Sequence, residues 1–113
     1  MISIIEEKNI GDDLIQQLNL VKEDVLYHCY LDNIKIGCAV IRNNKYDRIY
    51  LLLGEEYQGK GYGSEIFKKL LDIVKEPIVC VTPFDCFRMQ RIIIKNNGRE
   101  IGRNGKEIVY SIE

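Results

Sequence analysis

The sequence predicts an α/β (α+β) fold: a mixed central sheet, mostly antiparallel, with one parallel strand-helix-strand crossover. Three observations carry this. Short apolar runs recur at hairpin spacing between Val25 and Leu53. The last of them, Ile49 to Leu53, is followed by a glycine-rich turn and an amphipathic stretch that runs to Lys75. A compact β-branched run, Ile78 to Thr82, comes next, and a strand-helix-strand connection requires a parallel pair, right-handed by default.

Taken in order, Ile2 to Ile5 reads as a first strand. Asp12 to Leu20 has helical spacing at Leu14, Ile15 and Leu18, with Gly11-Asp12 as its start. Val25 to Leu31 and Ile34 to Ile41 are strands joined by a two-residue turn at Asp32-Asn33. Gly37 inside the second of them points to a bulge or a close neighbour. Asn43-Asn44-Lys45 makes the next turn, so that Ile49 to Leu53 completes an antiparallel meander. From Ser64 to Lys75, Ile66, Leu70 and Val74 repeat at four-residue steps, Phe67, Leu71 and Ile73 widen the apolar side, and Glu65, Lys68, Lys69 and Asp72 are left for water. Asp85 to Lys95 is a second amphipathic helix, stopped at Asn96-Asn97-Gly98, where Asn or Gly supplies the left-handed residue. Glu100-Ile101 and Glu107 to Ile112 form a terminal hairpin turning at Asn104-Gly105.

At 113 residues the chain reads as a single domain, 1–113, that buries about two-thirds of its unfolded surface. It is 46% apolar and 29% charged, as soluble globular chains are. The net charge of −1 gives no support to nucleic-acid binding. No stretch approaches the about 20 apolar residues that span a membrane, and the start lacks the plan of a signal peptide. Of the four cysteines, Cys29, Cys38 and Cys80 sit in strand-like runs, and none forms Cys-x-x-Cys. With a single histidine, no metal site is expected, and reduced, buried thiols in a cytoplasmic protein are. The terminal hairpin leaves an edge through which two copies could pair as a homodimer.

Between the strand and the helix lie Gly59, Gly61 and Gly63 at alternate positions. Glycines admit positive φ and close approach of a ligand to the backbone. The helix start that follows, with Ser64 or Gly63 near its cap, offers unpaired N–H groups and the positive end of the dipole. A phosphate or pyrophosphate is the expected guest. The dinucleotide pattern Gly-x-Gly-x-x-Gly is not matched, because Ser64 and Glu65 follow. The Gly-x-x-x-x-Gly-Lys-Ser/Thr pattern fits Gly54, Gly59 and Lys60 but then meets Gly61, which has no hydroxyl for magnesium.

A third pattern fits: Gln58-Gly59-Lys60-Gly61-Tyr62-Gly63 reads Gln/Arg-x-x-Gly-x-Gly/Ala. It resembles the acetyl-CoA loop of the GNAT acetyltransferase superfamily, and the order of elements from about Val25 onward is similar to that core. Arg91 to Gly98 resembles the family's helix with its Lys-Asn-Gly-type stop, while the N-terminal helical region is shorter than usual. The resemblance implies an N-acetyltransferase moving an acetyl group from acetyl-CoA to the primary amine of a small molecule or peptide. The alternative is a CoA-binding module without transfer. It implies that Gln58, Gly59, Lys60, Gly61, Tyr62, Gly63 and Ser64 wrap the coenzyme's pyrophosphate. It implies that Leu51, Leu52 and Leu53 pair with the pantetheine arm, an amide of Leu52 or Leu53 facing the thioester oxygen. The family's coenzyme-contacting Asn falls on Cys86 and its acid Tyr on Ile93, so the polar groups of both are absent. A thiolate leaving group needs little help, since a thiol's pKa is about 8.5. His28 and Glu55 are the candidates for the base, and Arg88 and Arg91 are within the helix that could reach phosphates.

Overall fold

The computed structural model describes residues 1–21, 23–42 and 48–113. Along it run β1 (Ile2–Glu7), α1 (Asp12–Leu18), β2 (Val25–Leu31), β3 (Ile34–Ile41), β4 (Ile49–Leu53), α2 (Tyr62–Val74), β5 (Ile78–Pro83), α3 (Phe87–Lys95), β6 (Arg99–Asn104) and β7 (Glu107–Ile112). A single 3-10 turn, Glu55–Tyr57, links β4 to α2. The expected turn at Asn43-Asn44-Lys45 lies outside the described residues.

The strands form two sheets. One has the order β1-β2-β3-β4 and the other β5-β7-β6, and every registered pair in both is antiparallel. The expected parallel ladder between β4 and β5 is therefore corrected. Among the described residues the two strands share one backbone bond, from Arg48 N–H to the Val79 carbonyl at 3.1 Å. Further along, the space beside Leu51 to Leu53 is taken up by a cleft, with Cys86, Met89 and Ile92 on its other side. Among the described residues no strand lies there to complete a ladder.

In the first sheet alternate residues face the core. Ile2, Tyr27, Cys29, Ala39, Ile41 and Ile49 are buried in one cluster with Ile66, Phe67 and Leu70 of α2, which packs against β1 and β4. Burying each of those three helix residues completely contributes about 1.5–3 kcal/mol. That anchors α2 firmly enough to hold an irregular start. From the second sheet Ile78, Cys80, Ile108, Tyr110 and Ile112 join the same cluster, with Ile93 of α3. Gly37 has the close neighbour its position suggested, since a Cβ there would stand 2.2 Å from the Leu52 carbonyl oxygen. The bulge falls beside it: Cys29 pairs with Gly37 and Tyr30 with Lys35, leaving Ile36 as the extra residue.

Some element ends differ from expectation, among them α1, which stops at Leu18 and not at Leu20. The terminal hairpin turns at Gly105-Lys106, one residue later than Asn104-Gly105, because Asn104 still pairs with Glu107 and Gly105 takes φ +62°. At the end of α3 it is Asn97, φ +69°, that supplies the left-handed residue. Gly98 then donates to the Ile93 carbonyl at 2.8 Å, so close to that residue that a Cβ would clash with it.

Candidate functional site: a cleft beside the free edge of β4

The direction of each β4 amide follows from two bonds. Arg42 N–H donates to the Arg48 carbonyl at 2.7 Å, and Gly54 N–H to the Ile36 carbonyl at 2.9 Å. Bonded pairs alternate along an antiparallel ladder. The register then turns the N–H and C=O of Tyr50 and Leu52 toward β3, and those of Leu51 and Leu53 toward the open edge. Of the two amides the sequence proposed for an oxyanion, that of Leu52 is committed to Cys38, and that of Leu53 faces outward. The Leu53 carbonyl accepts a bond from Gln58 Nε2 at 3.0 Å, while Gln58 Oε1 accepts from Arg88 Nη1. Gln58 thus fastens the loop to the strand on one side and to α3 on the other.

The three glycines serve two purposes. Gly59 and Gly61 have φ of +76° and +88° and open space where a Cβ would be, so they are needed for the backbone bend. Gly63 is buried, and a Cβ there would meet Ile92 at 2.8 Å and Leu53 at 3.5 Å, so it is needed for contact between α2, α3 and β4. The helix is capped by Gly61, with Tyr62 as its first residue, earlier than the cap expected at Gly63 or Ser64. Its first intrahelical bond is Glu65 N–H to the Gly61 carbonyl at 3.3 Å. The amides of Tyr62, Gly63 and Ser64 precede that bond, as helix starts require, and have no main-chain partner among the described residues.

The cleft has a volume of about 410 Å³. Leu51, Leu52 and Leu53 form one wall, Gln58, Gly59, Gly61, Gly63 and Ser64 one end, and Cys86, Arg88, Met89, Arg91, Ile92 and Lys95 the facing wall. The side chains of Lys60 and Tyr62 do not line it: Lys60 is exposed, and Tyr62 packs against the core. Cys86 caps α3 and is half-buried, where sequence alignment had placed it. Ile93, the position matched to an acid, is fully buried in the core and turned away, whereas Met89 and Ile92 are the apolar α3 residues that reach the cleft. Sequence reasoning missed Met89, Ile92 and Lys95. The signal was present, because Arg88, Arg91, Ile92 and Lys95 recur at three- and four-residue steps and so share a helix face.

The proposed bases stand elsewhere. His28 lies on β2, opposite Cys38, which is in turn opposite Leu52, so two strand spacings separate it from β4. Its Nε2 is 3.2 Å from Glu7 Oε2, and its Nδ1 is buried without a partner among the described residues. The Asn9 amide, followed by the His28 ring, holds the Glu7 carboxyl below the usual carboxylate range. Glu55 is exposed in the 3-10 turn and does not line the cleft. Burial pushes the Cys38 thiol up and takes that of Cys29 to about 12, which leaves both protonated at neutral pH. Among the described residues no group of three metal-ligating side chains comes together, and no helix is long and apolar enough to cross a membrane.

A second cavity, of about 580 Å³, lies between the later turns of α2 and the last two residues. It is larger, but its cations Lys68, Lys75 and Lys95 share the lining with the carboxylates of Asp72, Glu76 and Glu113. The arrangement suited to an extended anion is the first: an open strand edge, a helix start with unpaired donors, and three cations on one helix face.

The profile of the Acetyltransferase (GNAT) family matches residues 5–85, and the chain belongs to that family. No curated protein is similar enough in sequence to match. Solved structures share the fold. A GNAT family acetyltransferase from Elizabethkingia anophelis with acetyl-CoA bound superposes with a TM-score of 0.74 at 18% identity, covering 99% of this chain and 97% of that one. The N-acetyltransferase PseH from Campylobacter jejuni, in complex with acetyl coenzyme A, gives 0.76 at 8% identity over 100% and 99%. A domain from Methanocaldococcus jannaschii gives 0.79 at 13% identity over 99% and 97%.

Proposed function

We propose that this chain is an acetyl-CoA-dependent N-acetyltransferase acting on a primary amine, its 113 residues working as one domain in the cytoplasm. The observation that carries the reading is the continuity of the cleft: the outward amides of Leu51 and Leu53 lead directly to the unpaired amides at the start of α2. The loop from Gln58 to Ser64 receives the diphosphate, which Arg88, Arg91 and Lys95 help to neutralise. The pantetheine arm extends the first sheet along the edge of β4, as an added strand would. In this reading β4 and β5 run the same way from the joint at Arg48 and Val79 and diverge around the arm.

The thioester oxygen then meets the Leu53 N–H, a donor held by the ladder before the reaction begins. Rate comes from placement of the amine against the carbonyl carbon and from that donor, with no covalent enzyme intermediate. The acetyl-CoA complexes of the Elizabethkingia and Campylobacter proteins, which share this fold, support the choice of donor. The test is incubation with acetyl-CoA and a broad panel of amines, following release of the CoA thiol. Transfer to at least one amine, lost in a Gly61→Asp variant, is the expected result. Tight acetyl-CoA binding without transfer would leave a CoA-binding module, and no binding would end the proposal.

A further inference from the structure

Where an amine must attack, the cleft is built almost wholly of apolar groups. Leu51, Leu52 and Leu53 on one side face Cys86, Met89 and Ile92 on the other. The charged side chains on the lining, Arg88, Arg91 and Lys95, are all cations, and among the described residues no carboxylate or imidazole lines it. His28 is engaged with Glu7 two strands away, and Glu55 is exposed outside the cleft. An alkylammonium entering such a place loses its water and finds no anion in return, which favours its neutral form.

Resting on the acetyltransferase reading above, we infer that the acceptor is a primary amine of low basicity, with a pKa of about 8 or less. The α-amino group at the start of a peptide chain is the ordinary biological case, in contrast to the lysine side chain and other alkylamines. The enzyme takes up the fraction that is already neutral in solution. The nitrogen lone pair forms the new C–N bond, the C–S bond breaks, and its electron pair leaves on sulfur. The proton shed by nitrogen ends on the CoA sulfur, directly or through water, so that amide and free thiol are the only products. No protein base or acid is consumed in that balance. At pH 7 about 10% of an α-amino group is neutral, against about 0.04% of a lysine-type amine.

The experiment measures kcat/KM for primary amines of similar size and graded pKa, from pH 6 to 10 at saturating acetyl-CoA. Acetyl-CoA binding is followed by calorimetry over the same range. Each profile should bend at the pKa of the amine used. At pH 7 an α-amino acceptor should exceed a lysine-type amine by about two orders of magnitude, the ratio of their neutral fractions. His28→Gln and Glu55→Gln should keep the same profiles. One inflection common to all amines, preference for the lysine-type amine at pH 7, or an inflection lost in either variant would overturn the inference while leaving the transferase standing. Binding of acetyl-CoA with no amine acetylated at any pH would overturn it and leave a CoA-binding module. Failure to bind acetyl-CoA would remove both readings together.

Discussion

On the β4 side of the cleft the polar groups on offer are main-chain amides; on the α3 side they are side chains, three of them cationic. The first wall depends on the ladder and on glycine, and most side-chain changes along it would leave its donors in place. The second depends on residue identity at a helical repeat. The difference teaches where sensitivity should lie: backbone conformation should dominate binding on one wall, and charge on the other.

The largest effect is expected at Gly61. A valine there must adopt φ +88° with a branched side chain, a strain of about 1–3 kcal/mol. It also alters the cap from which the free amides radiate. Gly61→Val should lower acetyl-CoA affinity by more than tenfold in calorimetry, and unaltered affinity would break the contrast between the walls. Gly63 sharpens it differently. Gly63→Leu should lower thermal stability by about 1–3 kcal/mol through overpacking against Ile92 and Leu53, whereas Gly59→Ala meets open space and bears conformational strain alone. Failure of Ile92→Ala to recover any of the stability lost in Gly63→Leu would show that packing is not what Gly63 supplies.

Arg91→Gln tests the other wall. It should reduce affinity by about fivefold, roughly 1 kcal/mol for an exposed ion pair, and less as salt is raised. A salt-independent loss would point to a structural role. The effect of the thiols is confined to alkaline solution. Cys29 is fully buried and its folded pKa, about 12, stands above the unfolded value. The unfolded chain therefore loses this proton first. The stabilisation is complete below about pH 9 and declines as pH rises toward 12. Denaturation midpoints should fall in that window, less steeply in Cys29→Ala. Cys86, which lines the cleft, should be shielded from alkylation by acetyl-CoA.

Much of this was legible in the residues. β2, β3, β4 and β7 begin and end where alternation and turn chemistry place them, because Asp32-Asn33 and Gly105 punctuate a strong apolar pattern. The loop was legible because positive φ is recorded in the choice of glycine. The gap between β4 and β5 was not: a strand edge that meets a cleft and one that meets another strand carry the same apolar run. The direction of the Leu52 and Leu53 amides was hidden for a related reason, since ladder phase is set by pairing with β3 and leaves no mark on side chains. Cys86 could be reached by counting back from Asn96, while Ile93, reached by the same counting, is turned by the helix into the core. Rotation about a helix axis is fixed by packing, and the turn of about 100° that separates Ile92 from Ile93 in role is invisible to spacing alone.

The central claim is that main-chain donors at the bend between β4 and α2 hold a diphosphate at the mouth of the helix. Crystallisation with acetyl-CoA tests it most directly. The account predicts phosphate oxygens within about 3 Å of amides between Gly59 and Ser64, with the arm along Leu51 to Leu53. Coenzyme lodged instead between the later turns of α2 and the C-terminal residues, or an empty bend at saturating ligand, would contradict it.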